Sequence, residues 1–158
     1  MPRLRSALEE AGFENVATYV QSGNIVLSSS DSAAKAAQAC ERLVKKEFGL
    51  DIPVVVRTRA QLAEVVKHNP LGKIAKDPKR YQVSFLEKKP SAALVRKLED
   101  VAAPAERVVA HGREIYAWHP EGVARSKLWA ALAGKGLGVT ATARNWTTVT
   151  KLLELADE

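Results

Sequence analysis

Apolar residues recur at helical spacing at Leu4, Ala7, Leu8 and Ala11, and Gly12 follows where a left-handed residue would close the turn, so the pattern predicts a helix over 2–11. Two short β-rich runs come next, 16–20 and 24–29, joined by Gln21, Ser22 and Gly23, with Gly23 able to supply the positive φ of a tight hairpin. Ser30 or Asp31 is placed to cap a long helix ending at Phe48. Ala33, Ala36, Ala37, Cys40, Leu43, Val44 and Phe48 form its apolar stripe, and Gly49 stops it. The continuous β-branched run 52–56, with Pro53 near its start, predicts a buried strand. Thr58 and Gln61 have the spacing of a capping box, opening a helix that carries Leu62, Val65 and Val66 and ends before Asn69 and Pro70.

Beyond the lysine-rich segment 71–80, Tyr81, Val83 and Phe85 alternate with Gln82 and Ser84 as a half-buried strand would. Pro90 suits a first helical position ahead of Leu94, Leu98 and Val101. Strands are predicted over 107–111 and 114–118 around Gly112 and Arg113. Ser126 caps a helix with Leu128, Trp129 and Leu132 facing inward, which Gly134, Gly136 and Gly138 end. A short strand over 139–141 precedes a closing helix. Its Trp146, Val149, Leu153 and Ala156 share one face, and Arg144, Thr148 and Lys151 share another. The order of elements predicts an α+β fold. Its second half, 59–158, follows the β-α-β-β-α-β order of a ferredoxin-like unit and ends in a C-terminal helix; its first half, 1–58, follows the same order without the opening strand.

Composition narrows the picture. Among 158 residues 46% are hydrophobic and 27% charged, as in ordinary folded domains. No apolar run approaches the roughly 18 residues of a membrane span, and the start, with Arg3 and Arg5 followed by Glu9 and Glu10, lacks the apolar stretch of a signal peptide. One cysteine, Cys40, sits mid-stripe and reads as a core residue in a reducing cytoplasm. The net charge of +6 favours an anionic partner, nucleic acid or a small phosphorylated molecule.

Candidate chemistry gathers at two helix starts. Arg125, Ser126 and Lys127 surround one; Arg144 and Asn145, with Thr142, Thr147 and Thr148, surround the other, and Lys151 lies one turn on. Cations oppose the helix dipole at an N-terminus, so an anion held by free N–H groups and these side chains would offset the repulsion. The plainer alternative pairs the arginines with Glu121 or Glu154 and makes the threonines caps. His68 stands at a helix end, where it complements the dipole; His111 and His119 flank a hairpin with no clustered Cys, Asp or Glu beside them, so no metal is expected, and no phosphate-loop, dinucleotide or serine-elbow pattern occurs. No catalytic residue is therefore assigned and no cofactor is expected.

Four segments together carry a family resemblance: 18–24 (Thr-Tyr-Val-Gln-Ser-Gly-Asn), 53–58 (Pro-Val-Val-Val-Arg-Thr), 125–128 (Arg-Ser-Lys-Leu) and 143–149 (Ala-Arg-Asn-Trp-Thr-Thr-Val). The chain resembles the Domain of Unknown Function 1697 family of bacterial proteins. That resemblance implies an α+β fold of two ferredoxin-like halves and implies no activity. Family members start with a strand ahead of the first helix, so the expectation is that Met1 is an internal methionine of a longer form. Two functions are expected of such a chain. One is an anion- or nucleic-acid-binding module using the basic helix starts. The other is an enzyme acting on a small phosphorylated or carboxylated substrate, if Arg125, Lys127, Arg144 and Lys151 converge.

Overall fold

The computed structural model describes residues 2–19, 24–30, 32–50, 54–124, 126–133 and 139–156, excluding the side chains of Pro2 and Ala133. The fold is α+β, in two compact units: Met1–Gln61 with Lys151–Glu158, and Leu62–Thr150. The expected hairpin turn at Gln21, Ser22 and Gly23, the cap Asp31, the strand start at Ile52 and Pro53, and the helix-ending Gly134, Gly136 and Gly138 lie outside the described residues.

In the first unit α1 (Pro2–Glu10) and α2 (Ala33–Phe48) pack with an antiparallel pair, β1 (Glu14–Tyr19) and β2 (Asn24–Ser28). Their core is Leu4, Leu8, Phe13, Val16, Ala36 and Cys40. Burial, and secondarily the neighbouring Glu41, pushes the Cys40 thiol up, as an inert core cysteine requires. Ser32, not Ser30, caps α2 by accepting from Lys35 N–H at 3.3 Å. Gly49 stops the helix as the sequence predicted, at φ 68 in the left-handed conformation that glycine favours. Phe48 departs from the expected buried stripe: it is 40% exposed, with the Arg3 guanidinium 5.3 Å over its ring. The strand expected over 52–56 is not continued by Val54–Val56, which are irregular. Val54 N–H donates to Glu41 Oε1 at 2.9 Å, so a helix side chain takes the donor a ladder would need.

The capping box is reciprocal: Thr58 N–H donates to Gln61 Oε1 at 2.9 Å, and Gln61 N–H to Thr58 Oγ1 at 3.1 Å, opening α3 (Arg59–His68). Thr58→Ala is expected to cost about 1 kcal/mol, read as a lower urea midpoint at unchanged m. A shift below about 0.3 kcal/mol would mean the cap does not hold α3 in solution.

The second unit is a four-stranded antiparallel sheet in the order β4-β5-β3-β6, formed by β3 (Tyr81–Leu86), β4 (Arg107–His111), β5 (Glu114–Trp118) and β6 (Ala141–Asn145). Between β3 and β4 lies α4 (Ala92–Val101), and between β5 and β6 lies α5 (Lys127–Ala133). Leu86, Ile115 and Ala117 from the strands meet Leu98 of α4 and Leu128 and Leu132 of α5 in one core. Alternation then places Tyr81, Val83, Phe85 and Tyr116 on the opposite face of the sheet, and they too are buried.

Three expectations need correction here. β3 is buried along its whole length, including Gln82 and Ser84, because both of its faces are covered: α4 and α5 pack on the side of Leu86, which Gln82 and Ser84 share, and Trp146 stacks on Tyr81 on the other. Ser91 rather than Pro90 begins α4, accepting from Leu94 N–H at 3.1 Å, so Pro90 lies before the cap. The last strand runs Ala141–Asn145 rather than 139–141; Thr142 pairs with Phe85 and Arg144 with Val83, and α6 (Trp146–Ala156) starts directly after it.

Candidate functional site

The second unit builds a polar cluster where β4 begins, β5 ends and α5 starts. His119, one residue past β5, is fully buried, and Glu106, one residue before β4, is 8% exposed. His119 Nδ1 lies 2.7 Å from Glu106 Oε2, and Ser126 Oγ donates to the same oxygen at 2.6 Å. The other carboxylate oxygen accepts from Ala103 N–H at 2.9 Å. Ser126 Oγ in turn accepts from Trp129 N–H at 3.0 Å, which makes it the N-cap of α5. Donor and acceptor counting assigns the imidazole proton to Nδ1, because a carboxylate can only accept. Burial pushes the Glu106 carboxyl up, but the bonds from Ala103, Ser126 and His119 outweigh it and hold the group below its ordinary range.

Serine, histidine and glutamate within bonding distance invite comparison with a hydrolytic triad. The connectivity forbids it. In a working triad the acid and the nucleophile sit on opposite ring nitrogens, so that the free nitrogen can take the serine proton. Here Ser126 and Glu106 both meet Nδ1, with Ser126 Oγ 3.2 Å from it, while Nε2 is buried without a partner. The cluster is a clasp that ties β4, β5 and α5 through one carboxylate. Glu106 and His119 were not singled out from sequence as partners. The available signal was a histidine directly after a strand and a glutamate directly before its hairpin mate.

The residues expected to bind an anion separate into different environments. Arg125 lies outside the described residues. Ser126 is engaged in the clasp, and Lys127 is the exposed first residue of α5. Arg144 lies on β6 directly before Asn145, the cap of α6, half-buried, donating through Nη1 to Thr142 Oγ1 and to Ala143 O at 2.8 Å. Burial pushes its guanidinium below the ordinary arginine range. Asn145 caps α6, its Oδ1 accepting from Thr148 N–H at 2.9 Å, and Lys151 lies 3.4 Å from Glu154. Among the described residues no group of three or more His, Cys, Asp or Glu is arranged to hold a metal ion.

A run of rings crosses the same unit. His68 and His111 stack at 3.8 Å, and the Tyr81 ring stacks on Trp146 at 4.8 Å. Tyr116 OH donates to Val65 O at 2.8 Å and Tyr81 OH to Asn69 Oδ1 at 2.9 Å. Burial, partly countered by a backbone bond at Leu71, pushes the Tyr81 phenol up to about 12. Trp146 is thus committed to the tyrosine beside it, as its place on the apolar face of the last helix suggested.

The segment between α3 and β3 is firmly held. Gly72 passes so close to Asn69 that a Cβ there would lie 2.4 Å from the amide nitrogen. Ala75 N–H donates to Leu71 O at 2.9 Å, and Trp146 N–H to Pro78 O at 3.1 Å. Its acid is spent locally: Asp77 accepts from Lys79 N–H at 3.0 Å and lies 3.6 Å from Arg80, whose guanidinium also donates to Pro120 O. Lys73, Lys76 and Lys79 are exposed, with no side-chain ion pair among the described residues.

An α+β chain with this site defines no enzyme class. It belongs to the DUF1697 family, proteins of unknown function, whose family model matches residues 1–116. The motifs at 125–128 and 143–149 lie beyond that match. The fold is similar to that of a conserved bacterial protein from Streptococcus pneumoniae, with a TM-score of 0.77 at 19% identity, covering 99% of this chain and 88% of that one. Comparison with curated proteins found no match. No helix among the described residues is long and apolar enough to cross a membrane.

Proposed function

We propose that residues 62–150 form a polyanion-binding module that contacts nucleic acid through its phosphates. The supporting observation is where the charge lies. Leu62–Thr150 holds fifteen lysines and arginines against eight acids, a net +7, whereas the rest of the chain holds nine against ten, a net −1. The excess is segregated onto one unit, and within it Lys73, Lys76 and Lys79 project from a braced segment. Rigid display lowers the entropy lost when each lysine meets a phosphate. Sequence readout by base stacking on the sheet is disfavoured, because Tyr81, Phe85 and Tyr116 are buried. Lys127 and Arg125 belong to the same unit and are proposed as further contacts. Ser126 and Asn145, occupied as caps, and Lys151, beside Glu154, are not.

In this reading the second unit is a ferredoxin-like half, supported by its β-α-β-β-α-β order and the sheet order β4-β5-β3-β6. Residues 1–58 are its proposed counterpart, and a reducing cytoplasm suits the single buried cysteine. The test is fluorescence anisotropy with labelled single- and double-stranded oligonucleotides across a salt series. Binding should weaken linearly in log–log form, and the triple change of Lys73, Lys76 and Lys79 to alanine should flatten the slope by roughly 2 to 3. Absence of binding at low salt, or an unchanged slope, overturns the proposal.

A further inference from the structure

β4 is an edge of the four-stranded sheet: β5 pairs with one side of it, and among the described residues no strand pairs with the other. Its hairpin with β5 is regular from His111 opposite Glu114 to Arg107 opposite Trp118. The two-residue connection, with Gly112 at φ 60, makes His111 and Glu114 a hydrogen-bonded pair. Strict alternation then turns the N–H and C=O of Val108 and Ala110 outward. Natural sheets usually blunt such an edge with proline, a bulge or mid-strand charges. Arg107–His111 has none of these between its ends.

Beside this edge runs an open groove of about 440 Å³ between α4 and β4. Pro90, Ala92, Val95 and Ala110 line it, with Lys89 and Arg96 outweighing a single acid, Glu99. On the other face of the strand, Arg107 is exposed.

We infer that β4 and the α4 groove take an extended acidic peptide from a partner protein as an added strand. The backbone of the peptide would continue the ladder at Val108 and Ala110. Side chains on the α4 side would be small or aliphatic against Ala92 and Val95, with acids reaching Lys89 and Arg96; those on the other side would meet Arg107. This surface is distinct from the lysines of the segment between α3 and β3, so it stands or falls apart from the polyanion reading.

The experiment uses the full chain and a labelled eight-residue peptide, Glu-Glu-Val-Glu-Val-Glu-Glu-Glu, whose odd positions set valine and glutamate together on the face toward α4 and whose even positions set glutamate toward Arg107. Micromolar binding is expected, falling at least tenfold when the peptide nitrogens that face β4 are methylated and holding when the alternate set is, because only the first set supplies ladder donors. Ala110→Pro should also abolish binding. The nitrogen it alters points away from β5, so the fold should survive, as a circular dichroism melt would check. Arg96→Glu should weaken binding at least fivefold. Equal affinity for the two methylated peptides, no binding, dimerisation of the chain through β4 in sedimentation, or an oligonucleotide footprint on β4 in place of peptide binding would each overturn the inference.

Discussion

Glu106→Ala is expected to lower the stability of the Leu62–Thr150 unit by about 3–5 kcal/mol, the cost of breaking a buried, charge-assisted cluster from its centre. Three donors lose their acceptor together: Ala103 N–H, Ser126 Oγ–H and His119 Nδ1–H. His119 suffers most, because its Nε2 already lacks a partner and its ring is fully buried against the edge of Trp129. The pH dependence has a definite sign. A carboxyl depressed in the fold contributes stability that is fully present above the unfolded carboxylate range, about pH 4–5, and is lost as pH falls through the folded value. Urea melts at neutral pH and in acid should therefore show wild type losing stability on acidification and Glu106→Ala losing less. Equal acid sensitivity in both proteins would place the titrating group elsewhere. Glu106→Gln separates charge from shape: its amide oxygen keeps one acceptor, so an intermediate loss is expected.

The local grammar of the chain was readable wherever neighbours in sequence decide the outcome. Thr58 with Gln61, Gly49, and the hairpin around Gly112 behave as their spacing predicts, because caps and tight turns are closed by residues two to four apart. Errors arose where a distant partner overrode the local pattern. Gln82 and Ser84 look like solvent-facing positions of a half-buried strand, but they share the face of Leu86, which α4 and α5 cover, and both are buried. Arg144 and Thr142 look like the feed into a helix. The ladder to Val83 and Phe85 claims them as strand, and the helix starts only after Asn145. Val54–Val56, with high β propensity, stay irregular where a glutamate from α2 takes the donor of Val54.

The candidate sites divide in the same way. A basic helix start is visible in sequence, but what its side chains do depends on what the fold delivers to them. Ser126 was expected beside a bound anion, and the fold brings it a carboxylate of the chain itself from twenty residues away. Charge segregation was already countable at the expected boundary, with seven lysines and arginines against seven acids in 1–58 and seventeen against eleven in 59–158. The expected halves divided at 58 and 59, whereas the compact units divide at Gln61 and Leu62 and return 151–158 to the first unit. The edge of β4 was invisible from sequence, since strand order alone decides which strand is left unpaired.

Leu86→Ala is expected to cost about 2–5 kcal/mol, the other large effect, and it tests the packing on which the groove beside β4 rests. Leu86 closes β3 with no exposed surface and belongs to the core of Leu98, Ile115, Ala117, Leu128 and Leu132, where sheet, α4 and α5 meet. Its backbone N–H donates to Arg113 O at 2.9 Å, a bond that alanine keeps, so the loss reports side-chain volume alone. Leu86→Met preserves volume in a flexible side chain and should cost less than about 1.5 kcal/mol. Leu50→Ala makes the same chemical change at a residue 50% exposed and should cost under about 1 kcal/mol. Urea unfolding of the three variants, with amide exchange followed on β3 and β5, measures this order. If Leu86→Ala fell within the range of Leu50→Ala, the α4–sheet seam would not be closed in solution, and α4 could not form a fixed wall beside the edge of β4. A full loss at Leu86→Ala with near-wild-type behaviour of Leu86→Met would instead establish that α4 is held by close packing, the condition an added strand requires of its groove.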